Sequence, residues 1–135
     1  MKNWTVRTLK RSAPGLLIVL AFWAIAAKVF NAFILYPWLD MPTHFAGGLV
    51  IANFFRVAIQ ESALSFGETP VVIRALAVLG MTALSAVCWE FAEFLSDQFL
   101  ASHLNLGVQD TLSDLLFGTT GGLCVAMYEL FGNSR

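Results

Sequence analysis

The sequence predicts an all-α integral membrane bundle of four transmembrane helices, with both termini in the cytoplasm. The chain has 135 residues, of which 58% are hydrophobic and only 13% charged, and its mean hydropathy of +0.72 is far above that of soluble proteins. This length predicts a single transmembrane domain covering residues 1–135. The net charge of −1 leaves no basic surface for nucleic acid, so the lipid bilayer is the predicted surrounding.

Four apolar stretches are long enough to cross a bilayer, which takes roughly 20 residues of helix. The predicted spans are residues 14–36, 42–60, 71–94 and 111–131. Pro14 suits a helix start, and Tyr36 and Trp38 are aromatic residues typical of a membrane surface. The basic N-terminus and the apolar run after it also resemble a secretory signal with a cleavage site at residues 24–26. We interpret that run as the first span.

The basic residues define the predicted orientation. All eight except Lys28 fall on one side of a four-span chain: Lys2, Arg7, Lys10, Arg11, Arg56, Arg74 and Arg135. Cytoplasmic segments are enriched in Lys and Arg, so this side is predicted to be the inner one. The two outward segments, residues 37–43 and 95–110, contain neither residue type. Lys28 is expected within the outer part of the first span.

Most acidic residues are predicted to lie at the outer side. Glu61 and Glu68 are expected in the inner loop and Glu129 near the inner end of the last span, which leaves Asp40, Glu90, Glu93, Asp97, Asp110 and Asp114 outside. Spacings of three or four residues put neighbouring members on one helix face. The pairs are Asp40 with His44, Glu90 with Glu93, and Asp110 with Asp114. Three helix ends are therefore expected to present carboxylates and one imidazole toward a common region.

Charges at membrane depth are costly, so some of these acids stay protonated, or Lys28 pairs with them, or a cation binds. The sharpest hypothesis is a divalent-cation site, with His44 and Glu93 as the candidate general acid or base. Its candidate ligands are Asp40, His44, Glu90, Glu93, Asp110 and Asp114. Oxygen-rich ligands with one imidazole suit Mg²⁺, Mn²⁺ or Ca²⁺ better than zinc or iron. The Glu-x-x-His signature of di-iron bundles is absent, because Glu93 occupies the histidine position after Glu90.

A structural interpretation of the same residues stays open. Asp40 and Asp110 would then be helix caps, Asp97 and His103 solvated loop residues, and the remaining acids hydrogen-bonding partners of Lys28, Asn31 or Thr111. Several other residue types fit packing: Cys88, Cys124, Gly47, Gly48, Gly118, Gly121 and Gly122. No Gly-x-Ser-x-Gly motif supports a serine hydrolase.

Three segments in order carry a family resemblance. They are Asp40-Met-Pro-Thr-His44-Phe-Ala-Gly47, Trp89-Glu90-Phe-Ala-Glu93, and Gln109-Asp110-Thr111-Leu-Ser-Asp114 followed by Gly118 and Gly121. This set, within residues 38–125, resembles the YjdF-like and, more loosely, the VanZ-like families of small bacterial polytopic membrane proteins. The resemblance implies a location in the bacterial cytoplasmic membrane and singles out these acids, His44 and Thr111. It implies no particular reaction.

Three functions follow from this pattern. The first is a metal-dependent hydrolase or transferase acting on a lipid or cell-envelope substrate. A second is a non-catalytic subunit or assembly factor, bound to a membrane-protein partner or to further copies of itself. The third is a proton or ion pathway, which would require titratable groups through the membrane.

Overall fold

The computed structural model describes residues 2–100 and 107–132, and all regular structure in those ranges is helical. The helices are α1 Lys2–Lys28, α2 Ala32–Leu35, α3 Asp40–Phe66, α4 Val71–Leu100 and α5 Val108–Phe131, with a 3-10 turn at Pro37–Leu39. The all-α fold class is thus confirmed for the described part of the chain. His103 and Arg135, which entered the sequence predictions, lie outside the described residues.

Three helical segments are long and apolar enough to cross a membrane. They are Trp4–Lys28, Pro37–Phe66 and Val71–Phe99, with hydropathies of 1.5, 1.2 and 2.1. The protein therefore has three candidate membrane spans among its described residues. Helix α5 is long enough, at 24 residues, but it combines aspartates near its start with threonines and several glycines.

The first helix differs from the predicted span at residues 14–36. Helix α1 begins at Lys2, carries Pro14 in its interior and ends at Lys28. Asn31 then adopts a left-handed conformation with φ of 48°, which asparagine tolerates better than most residues and which breaks the helix. Lys28 therefore lies at the end of α1 and of its candidate span. Its side chain is exposed and forms no ion pair with any described residue, so it is not the counterion of the acids.

The second helix extends past the predicted end at residue 60. Glu61 was expected in a loop, but it lies inside α3 with 7% of its surface exposed. Arg7 donates a hydrogen bond to one of its carboxylate oxygens, and Arg11 Nη1 lies 2.7 Å from the other. These two arginines of α1 compensate the buried charge of Glu61. Helix α3 therefore includes Glu61 and continues to Phe66. Helices α4 and α5 likewise extend beyond the predicted 71–94 and 111–131.

Helix α3 lies at the centre of the bundle and packs against α1, α4 and α5. Helix α4 also packs along α5, whereas α1 and α4 make at most slight direct contact. Cross-helix contacts such as Arg56 with Glu129 and His44 with Asp114 show that α3 and α5 run in the same direction. Helices α1 and α4 run in the opposite direction. The bundle thus has two ends with different chemistry.

The first of these, which we call the arginine end, is built around Glu129. This carboxylate is 1% exposed and accepts hydrogen bonds from Arg56 Nε at 2.9 Å, Arg74 Nε at 2.7 Å and Gln60 Nε2 at 3.2 Å. The Arg56 guanidinium also lies over the Tyr128 ring, 4.9 Å from its centroid. A buried carboxylate with several charge-assisted partners fixes the three helices that contribute to it.

An apolar layer separates this end from the opposite one. Residues 45–55 of α3, 75–89 of α4 and 115–128 of α5 contain no acidic, basic or histidine side chain. At 1.5 Å per residue, roughly 18 Å of helix separates His44 from Arg56. The charges of the described helices therefore lie in two layers, as a hydrocarbon slab between them requires.

Glycines bring α3 and α5 into backbone contact. A Cβ atom built on Gly48 would overlap the carbonyl oxygen of Gly118, and one on Gly121 would overlap the carbonyl oxygen of Phe45. Gly122 instead faces α4, where Thr82 Cγ2 would lie 2.8 Å from an added Cβ. The predicted packing role of these glycines thus has a specific basis, since backbone atoms cannot move aside as a flexible side chain can.

We predict that Gly48→Ala destabilises the protein by about 1–3 kcal/mol, the usual cost of overpacking, because α3 and α5 must separate to admit the methyl group. The matched control is Gly80→Ala on α4, where an added Cβ meets no atom within 4 Å. Thermal unfolding in mild detergent measures both variants. Equal melting temperatures for the two would contradict the close helix contact.

Candidate functional site

The candidate site lies at the opposite end of the bundle, which we call the acidic end. Its five side chains come from three helices: Asp40 and His44 of α3, Glu90 and Glu93 of α4, and Asp114 of α5. Each set lies on one helix face because its members are three or four residues apart. The glycine contact between α3 and α5 then brings His44 close to Asp114, and α4 packs against both.

The imidazole of His44 lies at the centre of the acidic end. Its Nε2 atom is 3.4 Å from Asp40 Oδ1 and 3.8 Å from Asp114 Oδ1. Its Nδ1 atom is 3.9 Å from Glu90 Oε1. One histidine therefore faces carboxylates from all three helices, and each of its two ring nitrogens faces a different part of the cluster.

The donor atoms are close enough together to share a cation. Asp40, His44 and Asp114 form one group of potential ligands, and His44, Glu90 and Glu93 form a second. Within each group the donor atoms lie within 4.8 Å of one another. Ligands of a single Mg²⁺, Mn²⁺ or Ca²⁺ lie about 2.0–2.6 Å from the ion, so two of them are separated by at most about 5 Å. The distances satisfy this geometric condition.

Two of the carboxylates are buried and, within the described part of the chain, have no hydrogen-bond partner for their oxygens. Glu90 is 6% and Asp114 only 1% exposed. Neither oxygen of either side chain has a hydrogen-bond partner among the described residues. Thr111 of α5 also interacts with Glu90. Buried polar atoms are normally paired, so these four carboxylate oxygens around one imidazole depart from the usual pattern of buried side chains.

Glu93 has a different environment from the other acids. It is 6% exposed, and its Oε1 atom accepts a hydrogen bond from the indole N–H of Trp89 at 2.8 Å. Trp89 in turn contacts Trp23 of α1 edge to face, with ring centroids 5.0 Å apart. This chain of contacts fixes the orientation of Glu93. The spacing of four residues between Trp89 and Glu93 was a signal of this contact in the sequence, whereas nothing in the sequence pointed to Trp23.

Asp110, the sixth predicted ligand, is outside both donor groups. It lies in the first turn of α5 and is partly exposed, and its charge acts on Glu90 and Asp114. Asp97, one turn beyond Glu93, is also outside the two groups. Asp40 and Asp110 lie inside the first turns of α3 and α5, and the residues at the cap positions are Leu39 and Gly107.

A cavity of about 170 Å³ adjoins His44 on its membrane side. It is bounded by α1, α3 and α4, and Gly118 of α5 reaches its floor. Thr43, Thr82 and Ser85 are its hydroxyl-bearing residues, and the hydroxyls of Thr82 and Ser85 are bound to carbonyl groups of their own helix. The cavity is therefore apolar up to the point where it meets the imidazole.

The comparisons with known proteins give a family and no reaction. A family model described as "Predicted membrane protein (DUF2238)" matches residues 3–134. An uncharacterized protein of Thermotoga maritima is 33% identical over 92 residues, which make up 67% of this chain and 46% of that relative. The chain thus spans less than half the length of that curated relative. No solved structure matches the chain. Because the family match covers nearly all of the sequence, the chain belongs to the predicted membrane protein family DUF2238.

Proposed function

We propose that this protein is a membrane-embedded, metal-dependent hydrolase or transferase that acts on a lipid or cell-envelope substrate. The observation that carries the proposal is the set of buried, unpaired carboxylate oxygens on Glu90 and Asp114 around the single imidazole of His44. In this proposal Asp40, His44 and Asp114 hold one divalent cation, chosen from Mg²⁺, Mn²⁺ or Ca²⁺ before zinc or iron.

The electrostatics of the acidic end support a bound cation. Four carboxyl groups lie close to one imidazole, and Lys28 is exposed and forms no ion pair with the described residues. At the arginine end the charge of the buried carboxylate is compensated within the protein, because Glu129 contacts two guanidinium groups. A divalent ion would give Asp114 the compensation that Glu129 obtains from Arg56 and Arg74.

Glu93 is the group best placed to act as general base. Its hydrogen bond from Trp89 holds one oxygen and leaves the other for a proton. For a phosphate ester, Glu93 accepts a proton from water and the resulting hydroxide attacks phosphorus. The bond from phosphorus to the leaving oxygen breaks, and that oxygen takes up the proton. His44 is the alternative proton carrier, and in a transferase a substrate hydroxyl replaces water.

The proposed topology places this chemistry on the outer membrane surface. Helix α5 packs along α3 and α4 over its length, and we propose that it is the fourth span. The arginine end is then cytoplasmic under the positive-inside rule, and the acidic end faces outward from a bacterial inner membrane.

The two alternative functions have less support. An ion pathway would need titratable groups across the apolar layer, and residues 45–55, 75–89 and 115–127 supply none beyond two exposed cysteines. A subunit or oligomer was suggested by the glycine-bearing helix faces. Gly48, Gly118 and Gly121 are used for contacts within the chain, so they offer no free face to a partner.

We predict that Mn²⁺ raises the melting temperature of the purified protein. At a Mn²⁺ concentration one hundred times its dissociation constant, the free energy of unfolding should increase by about 2.7 kcal/mol. Asp114→Asn should remove this stabilisation and, without metal, should melt at or above the wild-type temperature, because a buried unpaired carboxylate is lost. Glu68→Gln, at an exposed inner position, is the matched control. If Mg²⁺, Mn²⁺ and Ca²⁺ all leave the wild type unchanged, the cation site is refuted.

We further predict that Glu93→Gln lowers hydrolysis or transfer by roughly 10²–10⁴-fold, the usual contribution of a general base, while the Mn²⁺-dependent rise in melting temperature persists. The assay follows labelled phospholipids and lipid-linked diphosphates in proteoliposomes with added Mn²⁺. Loss of both activity and metal stabilisation would instead make Glu93 a metal ligand. Turnover by Glu93→Gln equal to that of the wild type would exclude it as the base.

A further inference from the structure

The apolar cavity beside His44 is a cleft between α1 and α4, which make only slight direct contact with each other. Leu20 and Trp23 of α1 form one wall, Ser85 and Ala86 of α4 the other, and Gly47 of α3 part of the floor. Because α1 and α4 both pack on α3 and make at most slight contact with each other, a gap remains between them. Leu20 is 45% exposed although it lines the cavity. The cleft therefore opens sideways, in the direction of the bilayer.

The shape of the cleft fits a hydrocarbon chain and not a headgroup. Its α3 lining runs from Thr43 to Ile51, which corresponds to roughly 12 Å along the membrane normal at 1.5 Å per residue. An engineered apolar cavity of roughly 150 Å³ takes up benzene, so about 170 Å³ accommodates several carbon atoms. A chain lying there would extend from the depth of His44 toward the middle of the membrane, as the chains of the surrounding leaflet do.

We infer that the cleft between α1 and α4 binds one acyl chain of a membrane phospholipid, which enters laterally and places its phosphate at the acidic end. The position of the phosphate in this inference rests on the proposed function. The binding of the acyl chain rests on the shape and lining of the cleft alone. Bilayer phospholipids are the source of hydrocarbon that faces the opening. Trp23 and Trp89, which both line the cleft, meet edge to face between α1 and α4.

Gly47 offers a direct way to fill the cleft. A Cβ atom added there meets no atom within 4 Å, so Gly47→Leu projects its side chain into the open space that Gly47 lines. Gly80→Leu is the matched control, since Gly80 also meets nothing within 4 Å but lies on an exposed surface of α4 away from the cleft. Ser85→Leu fills the cleft from the opposite wall.

Native mass spectrometry in mild detergent measures the retention of one added dioleoyl phosphatidylglycerol per protein. The wild type and Gly80→Leu should retain it, and Gly47→Leu at least tenfold less at equal lipid concentration. Glycerol phosphate, which has no chain, should not compete. If Gly47→Leu melts well below Gly80→Leu, the same comparison is made with Ser85→Leu. Equal retention by the folded cleft-filling variant, or selective retention of farnesyl phosphate over phospholipid, would overturn the inference.

A Mn²⁺ titration of the same samples separates this inference from the proposed function. Gly47→Leu should keep the metal-dependent rise in melting temperature while losing the lipid. Lipid retention that depends on Gly47 in a wild type without any metal effect would support the cleft and refute the cation site. If Mn²⁺ raises the melting temperature but Gly47→Leu and Ser85→Leu retain as much lipid as the wild type, lipid binding in the cleft is refuted and the cation site is not.

Discussion

Backbone contact between α3 and α5 determines where the charged clusters at the two ends of these helices lie. Gly48, Gly118 and Gly121 have no side chains to hold the two helices apart, so the helices run side by side in one direction. This single contact aligns His44 with Asp114 at one end and Arg56 with Glu129 at the other. Helix α4 then completes both clusters. A slight change in the register or rotation of these helices would disperse both sets of polar groups.

The two ends use the same kind of residue in opposite ways. Glu129 is buried and paired with guanidinium groups, which makes the arginine end a fixed structural joint. Glu90 and Asp114 are as deeply buried but lack such partners among the described residues. A bundle that needed only stability would gain from apolar side chains at these two positions. The unpaired acids beside an imidazole therefore support the proposed cation, and the cleft beside His44 supports the proposal of a lipid substrate.

The fold class and the membership of the acidic end follow from local rules. Hydropathy over roughly 20 residues identifies membrane helices, and spacings of three and four residues predict that Asp40 shares a helix face with His44 and Glu90 with Glu93. The same rule also predicted Asp110 as a ligand, and Asp110 lies outside both donor groups. The break after Lys28 was not predictable in the same way, because a left-handed residue such as Asn31 leaves no trace in hydropathy. The pairing of Glu61 with Arg7 and Arg11 and the contact of Trp23 with Trp89 depend on the rotation of helices about their axes. Sequence spacing does not specify that rotation.

The central claim is that a divalent cation binds at the acidic end through His44. Electron spin-echo modulation of bound Mn²⁺ tests it directly, because a coordinated imidazole nitrogen modulates the echo and a carboxylate oxygen does not. The account predicts nitrogen modulation in the wild-type protein that disappears in His44→Gln and persists in His103→Gln. Bound Mn²⁺ without nitrogen modulation, or modulation unaffected by His44→Gln, would contradict it.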